Sequence, residues 1–247
     1  KNSLSKISSV ILTKETKQTS KRAPELYDAT TIAQDMNKRY GYSAKKTSDI
    51  IQKLYQDYAL TTYPGTNARK ISEGSAKKVY QILNNLTVLT NFTAEIKANG
   101  WQVSPHVVTS EGLAHEAITP VYGSINPANV AKLSKDEMNV YMAIVERFLA
   151  VFYPKAVYEE VVVSTEASGE NFETRGKSLL EPGWTAVLGT GKDVLLPTVT
   201  DGKSYRVISV NAEDKKTTPP SRYTEETLLS AMKNAGRFVE DANEAAI

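Results

Sequence analysis

The chain has 247 residues, 40% of them hydrophobic and 23% charged, with a formal net charge of +2. This is ordinary for a soluble globular protein of one large or two ordinary domains, and the charge is too small to announce a nucleic-acid partner. With no cysteine and two histidines, His106 and His115, the sequence excludes disulfides, thiolate metal sites and a His-rich zinc site.

No apolar run approaches the roughly 18 residues needed to span a bilayer. The first residues are polar, so no signal peptide is expected within them. No membrane association is expected, and the lack of cysteine suits a reducing compartment. The chain begins at Lys1 and stops inside a helical pattern, so a fragment of a longer protein is expected. Residues 1–55 carry 11 Lys/Arg against five acids, a local excess that suits phosphate attraction and equally suits a solvated surface.

In chain order, Ser9-Val10-Ile11-Leu12 reads as a short strand, followed by a polar Lys/Thr-rich stretch. After Pro24, the residues Leu26, Ala29, Ala33, Met36 and Tyr40 recur at helical steps and predict one buried helix face. Gly41 fits a helix stop, and Ser43 fits the N-cap of a second helix bearing Ile50, Ile51, Leu54, Tyr55 and Tyr58. The two form a tight helical hairpin, which in most proteins is a packed core rather than a DNA reader. Thr61 to Thr66 begins like a strand and turns at Pro64-Gly65. A further helix is expected from Ser72 through Leu86, then a loop-rich region over 100–133.

Ser134 and Glu137 make a capping box ahead of an amphipathic helix that ends before Pro154. Residues 156–210 alternate apolar and polar positions between glycines and predict antiparallel strands, including Tyr205 to Val210. Pro219-Pro220 reads as a stiff hinge. Thr224 then caps a last helix with Leu228, Leu229, Met232 and Phe238 spaced for burial. The fold class is α+β, and the helical block is placed to be an insertion between two parts of one β domain.

Thirteen tyrosines are present, and a phenol is a poor nucleophile at neutral pH, with an unperturbed pKa of about 10. Tyr63, at the end of a strand-like segment before a Pro-Gly turn, is placed to present its phenol outward. On local context alone, packing at a domain edge is the better reading.

The surrounding motifs reverse that. Ser43-Ala44-Lys45-Lys46-Thr47, then Gln52, Leu54 and Tyr55, then Thr62-Tyr63-Pro64 and Thr66 resemble the active-site region of type IA DNA topoisomerases, particularly topoisomerase III. Leu26 to Thr30 resembles the lead into the same helices. Ala114-His115-Glu116-Ala117-Ile118 with Pro120 resembles the histidine motif, and Glu137 to Ala150 the following helix. Phe172 with Gly176 and Gly183-Trp184, then Pro219-Pro220 with Arg222-Tyr223-Thr224-Glu225, complete the ordered series.

The resemblance implies a four-domain toroid. Residues 24–154 would be the helical domain carrying the catalytic tyrosine, inserted into a β-rich arch of residues 1–23 and 155–215. Residues 216–247 would begin the domain of the single-stranded-DNA groove. It further implies ATP-independent cleavage and rejoining of one DNA strand, with Tyr63 as the nucleophile of a 5′-phosphotyrosyl intermediate. The Mg²⁺ of such enzymes would be held by an N-terminal domain outside these residues, so the fragment alone is expected not to relax DNA. The partner would be single-stranded DNA, and the compartment the bacterial cytoplasm or nucleoid.

His115 would bind and position the strand, although as an isolated histidine it reads as a hydrogen-bonded structural residue. Thr66, Asn67, Arg69, Lys45, Lys46 and Arg222 are the other DNA-contact candidates; for the two lysines a solvated helix face is an equal reading.

The chain departs from the family pattern beside the tyrosine. Members usually carry arginine two residues after it, followed by Thr-Asp-Ser, where this chain has Gly65 and then Thr66-Asn67-Ala68. Losing such a phosphate-binding guanidinium costs about 2–4 kcal/mol of barrier. Arg69 or Lys70 is placed to substitute from a shifted position. The alternative reading is a divergent homologue that binds single-stranded DNA with little or no cleavage.

Overall fold

The computed structural model describes residues 7–86, 91–121 and 126–235. The chain groups into two compact units, residues 1–22 with 154–220, and residues 23–153 with 221–247.

The first unit is built on strands. β2 (Thr13–Lys21), β5 (Ala156–Ala167) and β6 (Glu170–Glu181) form an antiparallel sheet in the order β2-β5-β6. Ser168 and Gly169, both with positive φ, make the two-residue turn that closes the β5–β6 hairpin. β1 (Ser9–Ile11) pairs antiparallel with β7 (Ser204–Arg206). A short helix, α8 (Thr185–Leu188), follows the hairpin.

Two expectations change here. The polar stretch after Ile11 is a nine-residue strand, β2, held along its whole length by β5. It carries three lysines and little apolar surface because it is the sheet edge, where charge discourages further pairing. Conversely, the alternation from Tyr205 to Val210 yields strand structure only to Arg206, and Ile208 is 95% exposed. Alternation specifies a strand only when a neighbouring strand and a buried face are there to receive it.

The second unit holds most of the core. It contains α1 (Ala29–Tyr40), α2 (Ala44–Gln56), β3 (Ile71–Ser72), α3 (Glu73–Ala76), α4 (Val79–Leu86), α5 (Phe92–Ala98), β4 (Val108–Thr109), α6 (Pro127–Ala131), α7 (Lys135–Ala150) and α9 (Glu225–Lys233). Leu26, Ile32, Met36, Ile51, Leu54, Ile144 and Phe148 are buried, and α2 packs on both α1 and α7. Ala29 and Tyr40, read as part of the buried face, are exposed because they terminate α1.

Gly41 ends α1 with φ of 68°, a conformation other residues adopt at a cost, and its N–H donates to Asn37. Ser43 caps α2, Ser134 and Glu137 form the capping box of α7, and Thr224 caps α9. The helix expected from Ser72 to Leu86 is split into α3 and α4.

The last helix departs most from expectation. α9 packs against α1, yet no residue of it is buried, and Met232 is 64% exposed. Polar contacts hold it instead. Lys233 Nζ meets Asp28 at 2.5 Å, Glu225 accepts the Ala44 N–H at 2.5 Å, and the Glu226 N–H donates to Asn37 Oδ1 at 3.3 Å. Helical spacing identified the stripe but not a surface to cover it. Phe238 lies outside the described residues.

Candidate active site

Tyr63 is reached from the end of α2. The Leu60 N–H donates back to the Leu54 carbonyl at 2.9 Å, with Ala59 between them in the left-handed region at φ 51°. Leu60 and Thr61 are buried, so the chain is anchored immediately before the tyrosine.

A second segment, residues 117–121, runs beside it. Thr61 bridges Pro120, the Thr62 N–H donates to the Thr119 carbonyl at 2.9 Å, and the Val121 N–H donates to the Leu60 carbonyl at 3.1 Å. The Thr62 hydroxyl donates to the Ala117 carbonyl at 3.0 Å and accepts the Thr119 N–H at 2.9 Å.

On its other side the 117–121 segment is tied to Tyr27, through the Ile118 N–H and the Tyr27 carbonyl at 2.8 Å. Tyr27 is fully buried, with Arg147 stacked 4.2 Å from its ring centroid and its hydroxyl donating to Asp35. Burial pushes its phenol far up, so it acts as a neutral strut.

This lattice sets two side chains against each other. The rings of Tyr63 and His115 have centroids 4.6 Å apart and are tilted by 43°. Tyr55 from α2 meets the Tyr63 ring edge-on at 5.7 Å. Tyr63 is 42% exposed and His115 is also exposed, so the pair faces solvent. Glu116, next to the histidine, turns inward and accepts the Ser72 N–H at 3.0 Å and the Ser75 hydroxyl at 2.8 Å.

The other candidates are distributed differently. Thr66 is 6% exposed, its carbonyl accepts the Ala29 N–H at 3.0 Å and its hydroxyl accepts the Ala68 N–H at 3.0 Å. Its position is that of a turn brace. Asn67 is exposed in the same turn. Arg69 turns away into an ion pair with Glu25 at 3.2 Å and a hydrogen bond to the Leu26 carbonyl at 3.4 Å. In this arrangement the guanidinium is committed elsewhere and does not replace the one missing at residue 65.

Lys45 pairs with Asp49 along α2 at 2.6 Å. Lys46 pairs with Asp136 at 2.6 Å and lies 4.1 Å from the Tyr42 ring centroid; the Asp136 carboxylate raises its pKa. Arg222 is exposed ahead of α9. Thr62 was not singled out from sequence, although its β-branched hydroxyl beside the tyrosine was a usable signal. Apolar hollows in the β unit, such as the one lined by Leu12, Val163 and Phe172, involve none of these residues.

The arrangement is an exposed phenol on an anchored turn, backed by an imidazole. Such a pair suits attack on a large, externally presented electrophile. Comparison with known proteins gives its class. The DNA topoisomerase family profile matches residues 1–236, and the chain belongs to that family.

Within the family it is a topoisomerase III-like type IA member. The DNA topoisomerase 3 of Bacillus subtilis (strain 168) is 35% identical over 240 residues, covering 92% of this chain and 33% of that protein. The DNA topoisomerase 3 of Bacillus thuringiensis (strain Al Hakam) is 33% identical over 257 residues, covering 97% and 34%. The chain thus spans about a third of the length of these relatives. The structure of full-length topoisomerase I from Thermotoga maritima shares the fold, with a TM-score of 0.70 at 24% identity over 95% of this chain and 39% of that one.

Proposed function

We propose that the protein to which this chain belongs is an ATP-independent type IA topoisomerase, and that Tyr63 is its nucleophile. The observation that carries the reading is the Tyr63–His115 ring pair, exposed on an anchored turn within the family-matched region.

In the proposed reaction Tyr63 Oη attacks a backbone phosphorus of single-stranded DNA. A bond forms between Oη and phosphorus, and the bond from phosphorus to the 3′ oxygen breaks. The phenolic proton is lost and the leaving oxygen gains one, giving a 5′-phosphotyrosine and a 3′-hydroxyl. The number of phosphoester bonds is unchanged, so resealing is the reverse attack by the 3′-hydroxyl and needs no ATP. His115 positions the strand by donating to a phosphate oxygen or a neighbouring group. Asn67, Lys45, Lys46 and Arg222 are exposed and suited to the DNA backbone, while Thr66 and Arg69 support the turn.

The reading assigns residues 24–154 to a tyrosine domain inserted into an arch of residues 1–23 and 155–215, with residues 216–247 leading into the groove domain. The grouping of residues 1–22 with 154–220 into one unit, interrupted by residues 23–153, supports the insertion, whereas residues 221–247 group with the helical unit.

Among the described residues no cluster of three or more His, Cys, Asp or Glu is placed to hold a metal ion. The described residues therefore offer no such cluster to Mg²⁺, and no step is routed through one. Among the described residues no helix is long and apolar enough to cross a membrane. With DNA as the proposed substrate, and with bacterial DNA topoisomerase 3 proteins among its relatives, the compartment proposed for the reaction is the bacterial cytoplasm or nucleoid.

Covalent trapping tests the assignment. Full-length protein with Mg²⁺ and a labelled single-stranded oligonucleotide should yield a protein–DNA adduct that Tyr63→Phe abolishes. An adduct surviving in Tyr63→Phe would remove Tyr63 from the mechanism. Binding without any adduct in the unmodified protein would mark a homologue that binds DNA without cleaving it.

A further inference from the structure

Gly65 has no backbone reason to be glycine. Its φ is not among the positive values, so an L-residue could take its place without strain. What occupies its side-chain space is Tyr63. A Cβ built on Gly65 falls 2.6 Å from Tyr63 Oη and 2.8 Å from both Cε1 and Cζ. Packed carbon contacts lie at about 3.5–4.0 Å, so any side chain at residue 65 would have to expel the phenol.

The phenol is thus folded back over its own turn. Tyr55 meets one part of the ring edge-on, and His115 lies against another at 4.6 Å. The ring nevertheless remains 42% exposed. Its neighbours there are side chains and the turn itself, so rotation about its own side-chain bonds is the motion that would free it. In-line attack requires open space around Oη for a phosphorus and its leaving oxygen, and here the backbone of residue 65 closes one approach.

We propose that Gly65 is a positioning residue that sets a resting place for the Tyr63 phenol, from which the bound strand must draw it before attack. The proposal rests on the reading of Tyr63 as nucleophile. It assigns the departure at residue 65 a consequence beyond a lost guanidinium, namely an inbuilt hold on the nucleophile.

Gly65→Ala is the direct test, because the atoms a Cβ would meet are the far end of the Tyr63 side chain and the fold need not change. Two measurements on the full-length protein separate the proposal from the functional reading beneath it. The first is nitration of Tyr63 by tetranitromethane, followed by peptide mapping with the other tyrosines as internal controls. Gly65→Ala should nitrate about threefold or more faster at Tyr63 alone, as a shift of the resting population requires.

The second is single-turnover adduct formation on a labelled single-stranded oligonucleotide with Mg²⁺. The rate should rise by about 3- to 10-fold while the dissociation constant stays unchanged, since the variant alters the state of the nucleophile. Gly65→Ser should act in the same direction in both measurements.

Nitration at Tyr63 that both variants leave unchanged overturns the proposal. A slower adduct rate at unchanged affinity also overturns it, because the folded-back phenol would then be the reactive one. An adduct that persists in Tyr63→Phe removes the nucleophile reading, and the nitration result still reports whether residue 65 holds the ring.

Discussion

Thr62 and Thr119 hold each other twice: the Thr62 N–H donates to the Thr119 carbonyl at 2.9 Å, and the Thr119 N–H donates to the Thr62 hydroxyl at 2.9 Å. The same hydroxyl donates to the Ala117 carbonyl at 3.0 Å. One side chain therefore clips the segment carrying Tyr63 to the segment that follows His115. Thr62→Val keeps the shape and removes the clip, leaving a backbone N–H without its acceptor. The expected loss is about 1–3 kcal/mol of stability by urea denaturation. Adduct formation should slow more than oligonucleotide binding weakens, because the backbone segment that carries Tyr63 loses its fixed position.

His115→Phe should separate stacking from hydrogen bonding. An aromatic ring at residue 115 can still lie against Tyr63, so nitration of Tyr63 should change little. The ring has no N–H to offer a phosphate. Affinity for a single-stranded oligonucleotide should fall by about tenfold, the equivalent of one charge-assisted or strong hydrogen bond. Unchanged affinity in a fluorescence-anisotropy titration would remove His115 from the DNA contacts.

α9 should detach locally in acid. Asp28 is almost fully buried, and burial alone would raise its carboxyl pKa. The Lys233 ammonium and the Thr31 donors outweigh this and hold it below the ordinary carboxylate range. A carboxyl lowered by folding contributes stability above its unfolded pKa, and that stability is lost as pH falls through the folded value. The contact should therefore be constant near neutrality and weaken below about pH 4. Lys233→Ala should speed hydrogen exchange in α9 by about fivefold, equivalent to about 1 kcal/mol. The effect stays small because Lys233 is 40% exposed and water screens the pair.

Ala59 offers a stabilising change. Its φ of 51° places an alanine in the left-handed region at the end of α2, where a Cβ costs about 1–2 kcal/mol. Ala59→Gly relieves that strain and adds about 0.4–1 kcal/mol of unfolded-chain entropy in opposition. A net gain of about 0.5–1 kcal/mol is expected in thermal or denaturant unfolding. A loss would mean that Leu60 and Thr61 already fix this conformation without strain.

Much of the helical unit was legible because its signals are local. Gly41 after α1, Ser43 before α2, the Ser134–Glu137 box and Thr224 each act within a few residues of themselves, and all four are in place. β2 was illegible because its nine polar residues gain strand structure from β5, a partner distant in the chain. The stripe on α9 was misread for the converse reason. Its spacing is helical, but burial depends on a neighbour, and α1 offers it polar groups.

The same division runs through the site. The ordered motifs alone singled out Tyr63 and His115 and showed that Gly65 breaks the family pattern, because residue identity and spacing are written in the chain. The sequence could not show that the imidazole lies against the phenol, that Thr62 clips the two segments together, or that Arg69 is turned toward Glu25. Nor could it show that the Tyr63 ring fills the space left by the missing side chain at residue 65. Those relationships join segments far apart in sequence or depend on a side-chain rotamer. Packing of the whole unit selects them, and no local preference does.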